Sequence, residues 1–159
     1  MQKLKNDIIL TKSATETEEF AINLAKSLKR GDILCLYGNL GSGKTTFVQG
    51  LARGLGIKRR IFSPTFIIVR SYEITTPHFA KASRGKQNSN FFYHIDLYRI
   101  QTKQDLLGLG IDEILKDEKN IVSIEWAEKL FDLLPKKRID LKFKYIDQNE
   151  RLIEVEKHG

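Results

Sequence analysis

The run Gly38-Asn39-Leu40-Gly41-Ser42-Gly43-Lys44-Thr45 constrains this chain more tightly than any other stretch. It matches G-x-x-x-x-G-K-[ST], a pattern whose backbone N–H groups converge on phosphate oxygens only when a strand leads in and a helix leads out. Both flanks are present. Ile33-Leu34-Cys35-Leu36-Tyr37 is a short apolar run bounded by Gly31-Asp32 and Gly38, which suits a strand buried on both faces of a parallel sheet. Phe47, Val48, Leu51 and Leu55 then recur at helical spacing, and Gly54 and Gly56 mark where that helix should stop. The glycines let the backbone wrap a phosphate closely, Lys44 can neutralise β and γ oxygens, and the Thr45 hydroxyl suits magnesium. With Thr46, the whole loop is the expected ATP-binding set.

The rest of the chain reads as further layers of the same α/β architecture. Asp7-Ile8-Ile9-Leu10 is an expected strand, and Ser13-Ala14-Thr15-Glu16 has capping-box spacing. Phe20, Leu24 and Leu28, with Ala21 and Ala25, form one expected buried stripe that ends at Gly31. Residues 65–72 and 91–97, rich in β-branched and aromatic types, read as strands. Residues 104–115 suggest helical turns broken by Gly108 and Gly110, and residues 121–124 another buried strand. Ile139, Leu141, Phe143 and Tyr145 alternate with polar residues, Asp147-Gln148-Asn149 turns the chain, and Ile153 and Val155 alternate again. A closing antiparallel hairpin follows from that pattern. Residues 75–90, with Pro77, Gly85 and little apolar periodicity, read as an inserted flexible loop.

Composition bounds the organisation. A chain of 159 residues that is 41% hydrophobic fits one domain, 1–159. Met1-Gln2-Lys3-Leu4-Lys5-Asn6-Asp7 lacks the apolar stretch of a signal peptide, so a cytoplasmic location is expected, without a membrane. The single cysteine, Cys35, sits in an apolar strand and is expected to pack rather than react. A net charge of +7 permits a polyanionic partner, and Lys58-Arg59-Arg60 and Lys136-Lys137-Arg138 are its densest clusters. Neither is interleaved in sequence with aromatics that would stack on bases.

Outside the loop, chemistry concentrates at strand ends. Asp96 in His94-Ile95-Asp96-Leu97-Tyr98-Arg99 sits where open α/β sheets bind ligands, and a magnesium role stands beside that of a solvated acid. Glu125 can orient an attacking water, reach magnesium, or simply end a strand. Trp126 can fill core or wall a site against water. In Ser63-Pro64-Thr65-Phe66 the hydroxyls can sense a γ-phosphate, or the proline can merely make a turn. His94 can touch phosphate or water, or serve as a hydrogen-bonded structural histidine.

Taken together, Gly-Asn-Leu-Gly-Ser-Gly-Lys-Thr-Thr, Ser-Pro-Thr-Phe, His-Ile-Asp-Leu-Tyr-Arg and Ile-Glu-Trp, in this order, resemble the TsaE (YjeE) family over nearly the whole chain. The resemblance implies a P-loop NTPase fold with a mainly parallel sheet flanked by helices. It implies a magnesium-dependent ATPase that supports threonylcarbamoyladenosine formation beside the tRNA anticodon, together with the proteins TsaD and TsaB. It further implies that Thr45 and Glu125 serve the magnesium, that Asp96 is a Walker B-like acid, and that Thr65 belongs to a switch segment. Trp126 falls in the family's Glu-Trp motif. Asn39 stands where the family often has aspartate, Ala127 where proline is frequent, and residues 75–90 exceed the usual connection.

The mechanism expected is hydrolysis, with Lys44, Asp96 and Glu125 as the catalytic set and Thr45, Asp96 and Glu125 as candidate metal ligands. Carbamoyl transfer by this chain is not expected, because no nucleophile lies beside a base. Two rivals remain: a nucleoside or deoxynucleoside kinase, and an ATP-liganded basic module that contacts tRNA directly.

Overall fold

Every strand of the computed structural model, which describes residues 6–80 and 90–159, joins one twisted sheet. The strands are β1 (Asp7–Thr11), β2 (Ile33–Tyr37), β3 (Val69–Glu73), β4 (Phe91–Asp96), β5 (Ile121–Glu125), β6 (Arg138–Tyr145) and β7 (Arg151–His158), in the spatial order β1-β7-β6-β2-β5-β4-β3. At the centre β6, β2, β5 and β4 run parallel. The edges are antiparallel, β3 on β4 at one side and the β6–β7 hairpin carrying β1 at the other. The parallel centre and the closing hairpin are those the sequence predicts.

Side-chain alternation divides the core in two. Leu34 and Leu36 of β2, Phe92 of β4 and Ile121 of β5 face the helices α1 (Ala14–Ala25) and α2 (Lys44–Gly54). Ile33, Cys35, Ile95, Val122 and Ile124 face the opposite layer. That layer includes the short helix α4 (Ile111–Lys116), preceded by a 3-10 turn at Lys103–Leu106, and the 3-10 segment Ala127–Leu133. Cys35 is fully buried, and burial with the nearby Asp140 charge pushes its thiol up to about 12.

Helix α1 starts as expected. The Glu16 N–H donates to Ser13 Oγ at 3.1 Å, and the Lys12 N–H donates to the Glu16 carboxylate at 2.6 Å. Its buried stripe, however, is Thr17, Ala21 and Ala25, while Phe20 and Leu24 are only partly covered. The cause is the close approach of α2. A Cβ at Gly50 would lie 2.7 Å from Glu18 Cα, and one at Gly54 would lie 2.5 Å from Ala25 Cβ. The helix also ends at Ala25 rather than at Gly31. Ser27 and Leu28 close back on Leu24 and Ala25 through shorter-range bonds, which swing Leu28 into the core.

The segment expected as a strand over 65–72 pairs only from Val69 onward. Before it, the Pro64 carbonyl accepts the Ile67 and Ile68 N–H groups in a tight turn, and Ile68 has φ +67°. Phe66 and Ile67 point to solvent, so the apolar composition there marks no buried face. Of the expected loop 75–90, Pro77–Ala80 forms a short helix, α3, with Phe79 in the core. The Phe79 carbonyl accepts from Arg30 at 3.2 Å and from Asn90 at 3.1 Å. Residues 81–89 lie outside the described residues. Among the described residues no helix is long and apolar enough to cross a membrane.

Two outcomes follow from this packing. Gly50→Ala should lower the urea midpoint, because overpacking of about 1–3 kcal/mol exceeds the gain of about 1 kcal/mol from better helix propensity. Cys35 should resist a thiol-specific disulfide reagent at pH about 8 in the native protein and react fully once urea unfolds it.

Candidate functional site

Sheet register assembles the site before any side chain is considered. Asp96 at the end of β4 lies opposite Glu125 at the end of β5, and Glu125 lies opposite Leu36 of β2, from which the chain runs through Tyr37 into the glycine loop. His94, Asp96, Ser123 and Glu125 share the α2 side of the sheet, forming a polar patch above the apolar floor of Phe92 and Ile121.

The loop itself is built by its glycines. Gly38 has φ +146°, and a Cβ there would sit 2.6 Å from Ser42 Oγ and 2.8 Å from the Phe143 carbonyl oxygen. Gly43 has φ +99° and opens α2 with no side-chain cap, so the first N–H groups of the helix face the loop's hollow. Lys44 is 5% exposed and folds back onto the loop. Its Nζ donates to the Gly38 carbonyl, to the Asn39 carbonyl at 3.0 Å and to Ser42 Oγ at 3.4 Å, with the Trp126 ring centroid 4.4 Å away. Burial holds its pKa below the usual lysine range, while Glu125, Glu128 and Asp96 act in the opposite sense.

Both strand-end acids are buried rather than solvated, Glu125 at 2% and Asp96 at 4% exposure. Thr45 Oγ1 donates to Glu125 Oε1 at 3.0 Å, and Glu125 Oε2 lies 2.6 Å from His94 Nε2. The carboxylate accepts, which places the ring proton on Nε2, and Nδ1 has no partner among the described residues. Asp96 Oδ2 accepts from Ser63 Oγ at 2.6 Å and from Thr65 Oγ1 at 2.9 Å, while Oδ1 accepts the Tyr98 N–H at 2.9 Å. Trp126 adopts a left-handed conformation, φ +58°, and its ring leans on Tyr98 at 5.3 Å.

These groups line one cavity of about 410 Å³ together with loop residues 40–46, Ser63, Thr65, Tyr98 and Arg151. Lys44, Thr45, Thr46, Asp96, Glu125, Thr65 and Trp126 are therefore brought together. His94 is not at the surface of the cavity; it stands behind Glu125, fully buried. Gly38 and Asn39 contribute their carbonyls to Lys44, and Leu40 is exposed at the rim. Arg151 was not foreseen. It reaches from β7 and donates to the Gly41 carbonyl at 3.2 Å, a contact visible only once the hairpin register is known. The ionisable and hydroxyl donors at the acidic end are all oxygens, the set a hard divalent cation prefers, whereas the loop end offers an ammonium and backbone N–H groups suited to phosphate.

Comparison with known proteins agrees with this geometry. The family model described as "Threonylcarbamoyl adenosine biosynthesis protein TsaE" matches residues 11–153. The chain belongs to the TsaE family. It is 36% identical over 156 residues to the tRNA threonylcarbamoyladenosine biosynthesis protein TsaE of Rickettsia bellii, covering 98% of this chain and 97% of that protein. It is 35% identical over 144 residues to its namesake from Bacillus subtilis, covering 90% and 80%. The crystal structure of Bacillus subtilis YdiB superposes with a TM-score of 0.74 at 32% identity, over 98% of this chain and 87% of that one. The TsaE family acts in threonylcarbamoyladenosine biosynthesis on tRNA, and the P-loop fold of this member fits nucleotide binding.

The tightest constraint in the loop yields a prediction. Gly38→Ala drives a Cβ into the Phe143 carbonyl and into Ser42, so titration with a fluorescent ATP analogue should show affinity at least about tenfold weaker. Circular dichroism should show the sheet retained.

Proposed function

We propose that this TsaE-family protein hydrolyses ATP with magnesium and that hydrolysis supports threonylcarbamoyladenosine modification beside the anticodon by acting on a complex of TsaB and TsaD. The observation that carries the reading is the chain Thr45–Glu125–His94, which holds a buried carboxylate at the mouth of a phosphate-shaped loop. A carboxyl group taken out of water needs hydrogen bonds on both oxygens to stay fixed in orientation, and Glu125 has them.

In this reading the Lys44 ammonium and the loop N–H groups hold phosphate oxygens. Thr45, Asp96 and Glu125 are the residues that would hold magnesium, which when bound offsets charge on the phosphates. Glu125 orients the attacking water, and His94 keeps the carboxylate from rotating away. Trp126 and Tyr98 shield one wall from bulk solvent. Thr65 is the switch residue, because its hydroxyl and that of Ser63 rest on Asp96 and are released by any occupant that competes for Oδ2.

Phosphate release from ATP is the test, with the chain alone and then with TsaB, TsaD and tRNA. The partners should stimulate release, and Glu125→Ala should reduce it by about 10²-fold or more. Release unaffected by that change, or ATP consumption that appears only when a nucleoside acceptor is added, overturns the reading, the latter in favour of a kinase. His94→Ala should lower kcat about tenfold while leaving nucleotide affinity nearly unchanged, and His94→Gln, which keeps a donor for Glu125, should recover part of the loss.

A further inference from the structure

Beyond the nucleotide cavity, the chain leaving α2 builds a second depression of about 460 Å³. Ile57 and Ile61 are buried at its two ends, and Gln49 Nε2 donates to the Ile61 carbonyl at 3.3 Å. Pinned in this way, the intervening Lys58, Arg59 and Arg60 all project outward and are exposed. Arg53 borders the same hollow and is paired with Glu18. Among the described residues no carboxylate lies within ion-pair distance of Lys58, Arg59 or Arg60. Three adjacent cations repel one another, and among the described residues no ion pair offsets that repulsion, although Glu18 also lines the hollow.

The structure also sets aromatic rings against this cluster. The Arg59 guanidinium lies 6.0 Å from the Tyr72 ring and that of Arg60 lies 5.2 Å from the Phe62 ring. Phe62 is itself 55% exposed. Guanidinium groups resting on ring faces lose less freedom when they pair with a phosphate, and an open aromatic beside them offers a surface to a base. The hollow has no exposed apolar centre of the kind a protein interface desolvates.

We propose that Lys58, Arg59 and Arg60, with Phe62, form a docking site for the phosphate backbone of RNA, and that its ligand is the tRNA on which the family's pathway acts. The choice of RNA rests on family membership and on arginines set against aromatic rings, not on the ATPase reading, and the site is separate from the phosphate loop.

Fluorescence anisotropy with an unmodified tRNA transcript, repeated from about 50 to 200 mM salt, tests it. The combined variant Lys58→Gln, Arg59→Gln, Arg60→Gln should weaken binding at least about tenfold and flatten the salt slope by about 2–3. A charge-matched variant at residues outside this hollow, Lys119→Gln, Lys136→Gln, Lys137→Gln, should stay within about twofold of wild type. Lys58→Gln alone, which disturbs no ring contact, should lower the slope by about one. ATP-analogue affinity measured in parallel should be unchanged in every variant, so a failure of the nucleotide site is read separately. Equal losses in the two triple variants, or no loss in the first, overturn the proposal. So does a protein partner whose binding depends on the cluster while tRNA binding does not.

Discussion

A buried carboxylate sets the terms for the rest of this molecule. Glu125 is nearly inaccessible to water, and an ion in that position is tolerated only when its oxygens are satisfied. One oxygen takes the Thr45 hydroxyl and the other takes His94, so the first turn of α2, the end of β5 and the middle of β4 are tied at one point. The parallel pairing of β2, β5 and β4 makes this feasible, because it brings their carboxyl ends to the same edge in register. Shifting β4 by one residue would turn His94 and Asp96 to the opposite face and leave Glu125 buried without its histidine.

Asp96 plays a comparable part for the segment between α2 and β3. Its carboxylate holds two hydroxyls from residues 63–65, and those bonds, with the Pro64 turn and the positive φ of Ile68, keep the chain out of the sheet until Val69. The price of this arrangement is the exposure of Phe66 and Ile67, which a regular strand would have been able to pair or cover. A segment held by hydroxyl–carboxylate bonds rather than by a ladder is easier to displace, and it borders the cavity directly.

Much of this was legible in the sequence, for a physical reason. The glycine loop, the β2 run and the alternating hairpin each depend on local pattern, and local pattern is what a sequence displays. Asp96 and Glu125 could be placed at strand ends, but not their burial, which comes from pairing between strands distant in sequence. Of the stripe expected near α1, Ala21, Ala25 and Leu28 are buried as read, whereas Phe20 and Leu24 are only partly covered and Thr17 is buried, because a pair of glycines on the facing helix sets the approach. Arg151 was invisible for the same reason: its contact with Gly41 crosses from the hairpin to the loop. Tyr72, the aromatic neighbour of Arg59, likewise comes from another stretch, β3, whereas Phe62 stands only two residues beyond Arg60 and only its placement against that guanidinium needed the fold.

Lys44 closes the phosphate loop on itself. Its ammonium already gives its donors to Gly38, Asn39 and Ser42, so in the proposed nucleotide-binding role an incoming anion must displace those acceptors. Association is then an exchange of one acceptor set for another, with little net gain in hydrogen bonds and most of the driving force left to charge. In that proposed role the loop would discriminate by valence: a weakly charged anion would do no better than the resident carbonyls, and a polyphosphate would.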